Sequence, residues 1–463
     1  MLVGITLYGV ENMNLHEWQL KNNTSRKYAH FDRRVLLSNV WRYISDPGKV
    51  KTHSFFPFIH YTQVLKKYNK EQGVKLKKRE LYYSSHIDRY IYSYYGYLLN
   101  QQYDIKAKAD GIDSCAIAYR DNKSKCNIHF AKQAIDYVRN LENCYIIIGD
   151  FTNFFDSLDH DYLKQMICKL LNTAQLPDDY FAVYKSITKY AKWEMESLLL
   201  LNDLPVNGIK ELNSKEQVLS MVSFHEMKKK TWKKTDSEGN ETEEKYITKN
   251  QNDYGIPQGS AISAVLSNIY MLEFDKKLND YVKGNGGLYL RYSDDFIIIF
   301  PKVNDAHFIE QFEKIMEVIS STPRINLQPD KTQIFQFDSS VLSSCNQLVL
   351  PGVENQKDLL NYLGFTFDGK VVTIRDKTLS KYYYRMYGKL KTIVKNEGKT
   401  KNGKRISCKN LYATYTSKGA KKGNGNFLTY VAKAKSIWGP QEAIERGTKK
   451  HMQKIRKKLN TIV

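Results

Sequence analysis

The chain has 463 residues, and Lys and Arg outnumber Asp and Glu by 71 to 49, which gives a formal net charge of +22. This length allows several subdomains, and the charge excess favours a polyanionic partner, nucleic acid first and an acidic membrane surface a distant second. The N-terminus lacks a basic segment followed by an apolar core, and no stretch comes near the roughly 18 apolar residues of a membrane span. We therefore expect neither a secreted nor a membrane-spanning protein.

Six cysteines are scattered along the chain without a CxxC pair. They are Cys115, Cys126, Cys144, Cys168, Cys345 and Cys408. The spacing of a zinc site is absent, so we expect reduced thiols in a reducing cytoplasm.

The first part of the chain predicts helices and one basic strand. Residues 1–70 are mixed, aromatic and basic, and we expect helices there. A basic strand follows from Lys75 and ends at Ser84-Ser85. Apolar residues at helical spacing between Ile87 and Leu99 then predict an amphipathic helix.

Acidic residues follow two strongly apolar strands. In YIIIGDFTNFFDSLDH, Asp150 comes directly after Ile-Ile-Ile-Gly. In RYSDDFIIIF, Asp294 and Asp295 lie between two apolar runs, which predicts a β-hairpin with acids at its turn. A lone Asp-Asp pair in a turn is ordinary turn chemistry. Two strands that bring acids to one end of a sheet, however, could hold two hard cations such as Mg²⁺ about 3.5–4 Å apart.

The remaining segments differ in charge. Residues 227–253 change from basic to acidic around Gly239-Asn240 and predict an exposed hairpin, and a nucleic-acid contact through Lys228 to Lys230 stays open. From Lys381 onward the chain is basic and aromatic, with a loop predicted over Gly419 to Gly425.

Five segments, in this order, resemble the palm motifs of reverse transcriptases. They are motif A (145–160), motif B (255–271, GIPQGSAISAVLSNIYM), motif C (291–300), motif D (325–335, INLQPDKTQIF) and motif E (361–367, NYLGFTF). The resemblance implies an α+β right-hand polymerase whose antiparallel palm sheet bears the catalytic acids. Residues 1–70 would lead into the fingers, 71–367 would form fingers and palm, and 368–463 a basic helical thumb that grips duplex phosphates.

The resemblance also implies the catalytic acids and the metal ligands. Asp150, Asp294 and Asp295 would be catalytic and would bind two Mg²⁺ ions, or Mn²⁺, together with the backbone carbonyl of Phe151. Asp156 and Asp159 are instead expected at helix starts.

Further residues are expected around the incoming deoxynucleotide. They are Lys78, Arg79, Phe155, Gln258 and Lys331. Phe155, five residues after Asp150, resembles the steric gate that excludes a 2′-hydroxyl; a core position beside Phe154 is the alternative. Lys331 resembles the general acid for pyrophosphate, with an ion pair to Asp330 or to phosphate as the alternative. For the basic pair on the strand, the alternative is a solvated charge run.

Template and primer contacts follow from the same resemblance. Arg120 is expected near the template backbone and Tyr292 near the primer terminus. Tyr362, Leu363 and Gly364 are expected to press on the primer strand. In motif B, a helix is expected from Ser260 onward.

The pattern looks most like a stand-alone prokaryotic reverse transcriptase of the group II intron and retron-like lineage, nearest to the abortive-infection and phage-defence "unknown group" enzymes. The retron VTG triplet is replaced by Val371-Val372-Thr373-Ile374.

The resemblance implies a cytoplasmic RNA-directed DNA polymerase in anti-phage defence. It would use dNTPs and a dedicated non-coding RNA template and would make a DNA product. The alternatives are a retron-type enzyme, a template-independent polymerase primed from a protein tyrosine, and a non-catalytic RNA-binding scaffold. Oligomeric state, including a homo-oligomer, stays open.

Overall fold

The computed structural model describes residues 14–69, 73–120, 123, 125–235, 239–353, 357–399, 409–420 and 425–460. Its helices are α1 (Leu15–Asn22), α2 (Leu37–Ile44), α3 (Pro47–Lys51), α4 (His86–Ala109), α5 (Asn127–Leu141), α6 (Phe154–Ser157), α7 (His160–Leu171), α8 (Asp178–Thr188), α9 (Met195–Leu200), α10 (Ile209–Leu212), α11 (Met221–Met227), α12 (Ser263–Tyr270), α13 (Leu272–Gly284), α14 (Asp305–Ser320), α15 (Asp376–Lys395), α16 (Lys409–Tyr415), α17 (Ser417–Ala420), α18 (Phe427–Trp438) and α19 (His451–Leu459). Its strands are β1 (Phe58–Asn69), β2 (Gly73–Tyr83), β3 (Asn143–Asp150), β4 (Ala191–Glu194), β5 (Thr231–Thr235), β6 (Glu241–Lys245), β7 (Ile247–Lys249), β8 (Leu288–Tyr292), β9 (Asp295–Pro301), β10 (Gln333–Asp338), β11 (Val341–Ser344), β12 (Leu360–Tyr362), β13 (Phe365–Phe367) and β14 (Val372–Ile374). Within these described ranges, each helix is too short or too polar to cross a membrane.

The central sheet has five strands in the order β11-β10-β3-β9-β8, and every neighbouring pair is antiparallel. We call it the palm sheet. Successive residues of β3 point to opposite faces: Tyr145 and Ile147 enter one hydrophobic core, while Cys144, Ile146 and Ile148 enter the other. Both faces are covered, which is why β3 is apolar throughout until it reaches its terminal acid. The predicted α+β class with an antiparallel sheet is confirmed.

A second sheet, in the order β2-β1-β4-β7, stands on the N-terminal side of the palm. Its long hairpin pairs Ile59 with Tyr83 at one end and Asn69 with Gly73 at the other. The predicted amphipathic helix is α4, where the Ser85 side chain caps the start by accepting a hydrogen bond from the Asp88 amide (3.1 Å). Strand β1 lies in a region for which only helices were predicted, and its partner strand β2 comes later in the chain.

A third sheet, β12-β13-β14, joins the palm to the C-terminal helices. Strand β14 lies beyond residue 367, where the thumb was predicted to begin. Val431 and Trp438 of α18 pack into the same core as this sheet, whereas Met386 and Ile455 belong to a separate small core between α15 and α19. The C-terminal region is therefore helical but anchored in the palm.

Two smaller expectations have clear outcomes. The predicted hairpin in residues 227–253 is confirmed, since β5 pairs antiparallel with β6; part of its turn lies outside the described residues. The motif B helix begins at Ser263 rather than Ser260, and the chain divides it into α12 and α13 at Met271. The loop expected over Gly419 to Gly425 lies partly outside the described residues, and Cys408 lies wholly outside them. The five cysteines within the described residues are free thiols.

Burial of His30 predicts acid sensitivity. The ring is fully buried among Phe31, Phe56 and Tyr83, and desolvation followed by the charge of His86 lowers its pKa well below the ordinary 6.5. Below pH 6.5 this histidine binds a proton in the unfolded chain but stays neutral in the native protein. The free energy of unfolding should therefore fall by up to about 1.4 kcal/mol per pH unit as the pH decreases. Denaturant unfolding between pH 5 and pH 8 measures this slope, and His30→Phe should reduce it. Parallel curves for both proteins would contradict the assignment.

Candidate active site

Strand register brings three carboxylates to one end of the palm sheet. Asp150, the last residue of β3, is the direct partner of Asp295 on β9, and Tyr292 on β8 is the partner of Asp295 from the other side. Ser293 and Asp294 form the turn between β8 and β9, and Ser293 has a left-handed backbone (φ 64°). The amide of Phe151 donates to the carbonyl of Asp294 (3.2 Å), which ties the turn to β3. The predicted hairpin with acids at its turn is thus observed.

Burial, followed by repulsion between neighbouring carboxylates, raises the pKa values at this end of the sheet. Desolvation in the cleft, followed by the charges of Asp294 and Asp150, raises the pKa of Asp295 to about 7. Desolvation and the Asp150 carboxylate also raise the pKa of Asp294. Both carboxyl groups therefore hold protons more tightly than usual, and bound cations would relieve the repulsion that causes this.

Lys331 is the cation that contacts the acids. Its ammonium group pairs with Asp150 Oδ2, not with Asp330 as one alternative held. The other oxygen of Asp150, Oδ1, is buried and has no hydrogen-bond partner in the described part of the chain. A buried carboxylate oxygen without a partner is costly, and oxygen donors of this kind suit hard divalent cations.

A preformed metal site is absent from the described residues. No group of three or more Asp, Glu, His or Cys side chains among them is arranged to hold a metal ion already. The donor set nevertheless fits one, because Asp294 and Asp295 repel each other and Asp150 keeps one oxygen without a partner.

The backbone after Asp150 is held by a short antiparallel bridge. The Gln328 amide donates to the carbonyl of Asp150 (2.9 Å), and the Thr152 amide donates to the carbonyl of Asn326 (2.9 Å). These bonds pass on either side of Phe151, so the bridge does not use its carbonyl, which was predicted as a metal ligand.

Adjacent phenylalanines on α6 have different surroundings. Phe154 is 3% exposed and belongs to the core, whereas Phe155 is partly exposed and only packs against it. The residue five positions after Asp150 is therefore the one available to a ligand. The carbonyl of Phe155 accepts from the Ile256 amide (2.9 Å), which places motif B beside it.

Motif B also contacts strand β2. The Tyr82 amide donates to the carbonyl of Gln258 (3.0 Å), and the Gln258 side chain is half-buried. Gly259 has φ 114°, and a Cβ atom there would lie 2.6 Å from the Tyr82 carbonyl oxygen. We call this contact between motif B and β2 the joint, and only glycine fits it without movement of the backbone.

The joint gives a direct prediction. Gly259→Ala should destabilise the protein by about 1–3 kcal/mol, since it adds a clash to a positive φ. Gly284→Ala is the matched control, because a Cβ atom there meets nothing within 4 Å. Thermal unfolding of both variants measures the difference, and equal melting temperatures would contradict a tight joint.

Basic residues of β2 lie near the start of the C-terminal region. Lys78 and Arg79, predicted to bind nucleotide, are exposed on β2. Lys377 on α15 has its pKa lowered by desolvation first and then by Arg375, Lys77, Lys381 and Arg79. The basic strand and the first turn of α15 thus form one cationic surface near the acids, and Arg375 is also close enough to lower the pKa of Asp295.

The expectation for Arg120 is wrong. Its side chain is fully buried and paired with Asp104 (2.7 Å) and Asp113 (2.6 Å), so it offers no donor to a template backbone. Both partners lie earlier in the chain, and the spacing of the sequence does not reveal them.

The predicted primer contacts of motif E need a partial correction. The Tyr362 side chain is 2% exposed and packs in the core, so it does not reach a primer strand. Leu363 (φ 44°) and Gly364 (φ 92°) form the turn between β12 and β13. Asn127 holds this turn by donating to the Leu363 carbonyl (2.9 Å). Of the predicted primer contacts, this turn and the half-buried Tyr292 stay available to a ligand.

The sequence interpretation missed the residues beneath the acidic turn. Arg291 on β8 is fully buried, and its guanidinium pairs with Asp275 on α13. A charged residue inside the otherwise apolar LYLRY strand was the available signal, because a buried arginine requires an acidic partner. Asp156, by contrast, stays outside the acid set, and Asp159 caps α7 as predicted by accepting from the Tyr162 amide (2.9 Å).

Comparison with known proteins gives one family match. Residues 214–367, about a third of the chain, match the family described as reverse transcriptase (RNA-dependent DNA polymerase). The match includes Asp294 and Asp295, while Asp150 precedes it. This segment of the chain is therefore similar to a reverse transcriptase domain. No curated protein sequence matches the chain.

Solved structures of telomerase are similar to the chain at low identity. The apo telomerase of Candida tropicalis, truncated from its C-terminal domain, is 12% identical, with 74% of this chain and 61% of that one covered and a TM-score of 0.41. The telomerase of Candida albicans in complex with a TWJ fragment of telomeric RNA is 12% identical, with 97% and 72% covered and a TM-score of 0.40. The chain spans less than two thirds of the first of these proteins.

Proposed function

We propose that this protein is an RNA-directed DNA polymerase that adds deoxynucleotides to a primer 3′ end by two-metal phosphoryl transfer. One observation carries the proposal: Asp150, Asp294 and Asp295 meet at one end of the palm sheet of a chain with a segment similar to a reverse transcriptase domain. The repulsion among them disfavours a purely structural role, since two ordinary polar side chains would be more stable there.

The metal ions would be Mg²⁺, with Mn²⁺ as a substitute, held by the three carboxylates and the Phe151 carbonyl. When bound, they stabilise negative charge on the attacking and leaving oxygens. The raised pKa of Asp295, about 7, means that binding also displaces a proton near neutral pH.

The chain's own groups bind and orient the substrates. Lys78 and Arg79 on β2 would neutralise the nucleotide phosphates, and the partly exposed Phe155 ring would lie under the sugar. Gln258 would lie against the base, because the Tyr82 amide donates to its backbone carbonyl and so holds it to β2, the strand that carries Lys78 and Arg79. The Lys331 ammonium, already beside Asp150, would donate a proton to the departing pyrophosphate.

The proposed partners are an RNA template, the DNA product and dNTPs. The net charge of +22 and the cationic surface of β2 and α15 support a polyanionic partner. We further propose a prokaryotic enzyme that copies a dedicated non-coding RNA in anti-phage defence, which the order and the residues of the five motifs support.

Primer extension tests the activity. With an RNA template, a DNA primer, dNTPs and Mg²⁺, the purified protein should extend the primer by template-directed steps, and chelation should stop it. Absence of extension with Mg²⁺ and with Mn²⁺, by protein that binds the primer–template, would overturn the proposal in favour of a non-catalytic RNA-binding scaffold.

Sequencing of co-purifying nucleic acid tests the template. One dominant small RNA with complementary DNA is the expected result. DNA covalently attached to protein without a matching RNA would instead indicate untemplated, protein-primed synthesis.

A further inference from the structure

A completely buried ion pair lies directly beneath the acidic turn. The side chains of Arg291 and Asp275 are both 0% exposed. Arg291 Nε donates to Asp275 Oδ1 (2.8 Å) and Nη2 donates to Oδ2 (2.6 Å), a two-pronged geometry that lysine cannot reproduce. Tyr289 also donates to Asp275 Oδ1 (2.7 Å). The carboxylate is thus fully satisfied and oriented.

The remaining nitrogen of the guanidinium reaches the turn itself. Arg291 Nη1 donates to the carbonyl of Ser293 (3.0 Å), the residue with φ 64° immediately before Asp294. A non-glycine residue in this region is strained by roughly 1–3 kcal/mol and persists only when its surroundings hold it. Tyr119 supports the same residue from the other side by donating to the Ser293 hydroxyl (3.1 Å).

The arginine is itself held rigidly. Its amide donates to the carbonyl of Cys115 (2.8 Å), and its carbonyl accepts from the amide of Ile117 (3.1 Å). Nη2 also donates to Asn268 on α12 (3.3 Å), and Asn268 donates to the carbonyl of Ala118 (2.9 Å). Motif B and the hairpin turn are therefore held by the Arg291 guanidinium, and the segment after α4 is held by the Arg291 backbone.

We propose that Arg291 and Asp275 are a positioning pair that fixes the turn bearing Asp294 and Asp295, and so sets the affinity of these carboxylates for divalent cations. Stability alone does not account for the pair, because buried ion pairs are often no better than apolar residues of similar size. The inference rests on the proposed function only for the consequence in catalysis; the placement of the turn and cation binding are properties of the protein alone.

The test removes both charges together. The double variant Arg291→Met, Asp275→Leu leaves no unpaired buried charge, so it should fold. We expect Mn²⁺ binding, followed by electron paramagnetic resonance, to weaken by about 10–100-fold, the usual loss when a group that orients a metal ligand is removed. Hydrogen exchange at the Phe151 amide, which donates to the Asp294 carbonyl, should accelerate, because the turn is no longer held.

Two single variants separate positioning from packing. Tyr289→Phe removes one hydrogen bond to Asp275 but leaves the Arg291–Ser293 contact, so Mn²⁺ affinity and Phe151 exchange should stay as in the wild type. Arg291→Lys keeps the charge but not the two-pronged geometry, so it should behave like the double variant.

Wild-type Mn²⁺ affinity and Phe151 exchange in a folded double variant would overturn the positioning role. Should the double variant fail to fold, Arg291→Lys supplies the same two measurements. Failure of the proposed function would be distinct from this, because the wild type would then show no primer extension while its cation binding still depended on Arg291.

Discussion

Replacement of Asp294 by asparagine should lower nucleotide incorporation by roughly 10³-fold, the upper range for removing one group that stabilises charge in a transition state. Thermal stability should not fall with it. Burial and the Asp150 carboxylate raise the pKa of Asp294, so above that pKa the ionised side chain destabilises the native protein, and asparagine removes this cost. Single-turnover extension and thermal unfolding at pH 8 measure both effects.

The control for this prediction is a carboxylate close to the site. Asp330 is exposed and adjacent to Lys331, yet the lysine pairs with Asp150 instead. Asp330→Asn should therefore extend primers at the wild-type rate. Retained synthesis in the Asp294→Asn protein would remove the two-metal assignment, and a large loss of stability would instead show that the carboxylate has a structural role.

Replacement of Phe155 by alanine should admit ribonucleotides. The ring is partly exposed, and under the proposed function it lies beneath the sugar, so removing it would open space for a 2′-hydroxyl. We expect the preference for dNTP over rNTP, as a ratio of kcat/KM values, to fall by about 10²-fold, the size of effect that pocket shape supplies for one hydroxyl. Competitive incorporation opposite a single template base measures the ratio.

Phe154 provides the comparison within the same helical turn. It is 3% exposed, so Phe154→Ala should cost about 3–5 kcal/mol of stability. The fraction of the Phe154→Ala protein that folds should keep the wild-type preference for dNTP over rNTP. If instead Phe154→Ala changed selectivity and Phe155→Ala did not, the identity of the gate would be reversed.

The sequence predicted best what short segments decide. The hairpin around Asp294 is flanked by β-branched and aromatic residues that have no stable alternative to strands, and the turn needs only local chemistry. Helix α4 was predictable for the same reason, since its cap at Ser85 and its apolar spacing lie within one segment. Placement of Asp150 opposite Asp295 required a long-range pairing, which the resemblance to a polymerase supplied.

Side-chain surroundings were not predictable where their partners are distant. Arg120 was expected near a template backbone, but Asp104 and Asp113 enclose its side chain. Tyr362 and Leu363 are adjacent, yet strand alternation buries the first and leaves the second in a turn. The partner of Lys331 is 181 positions away, and only the fold brings it near.

The contact between Lys331 and Asp150 has a thermodynamic consequence for any cation that reaches this carboxylate. An ion that binds Oδ2 takes the place of an ammonium group already there, whereas Oδ1 has no hydrogen-bond partner among the described residues to displace. The affinity of Oδ2 for an ion is therefore a difference between two ionic contacts, and it becomes weaker or stronger as either one changes. Binding of an ion at Oδ2 and release of the lysine side chain are one exchange, so occupation of this oxygen also frees the Lys331 ammonium group for other partners.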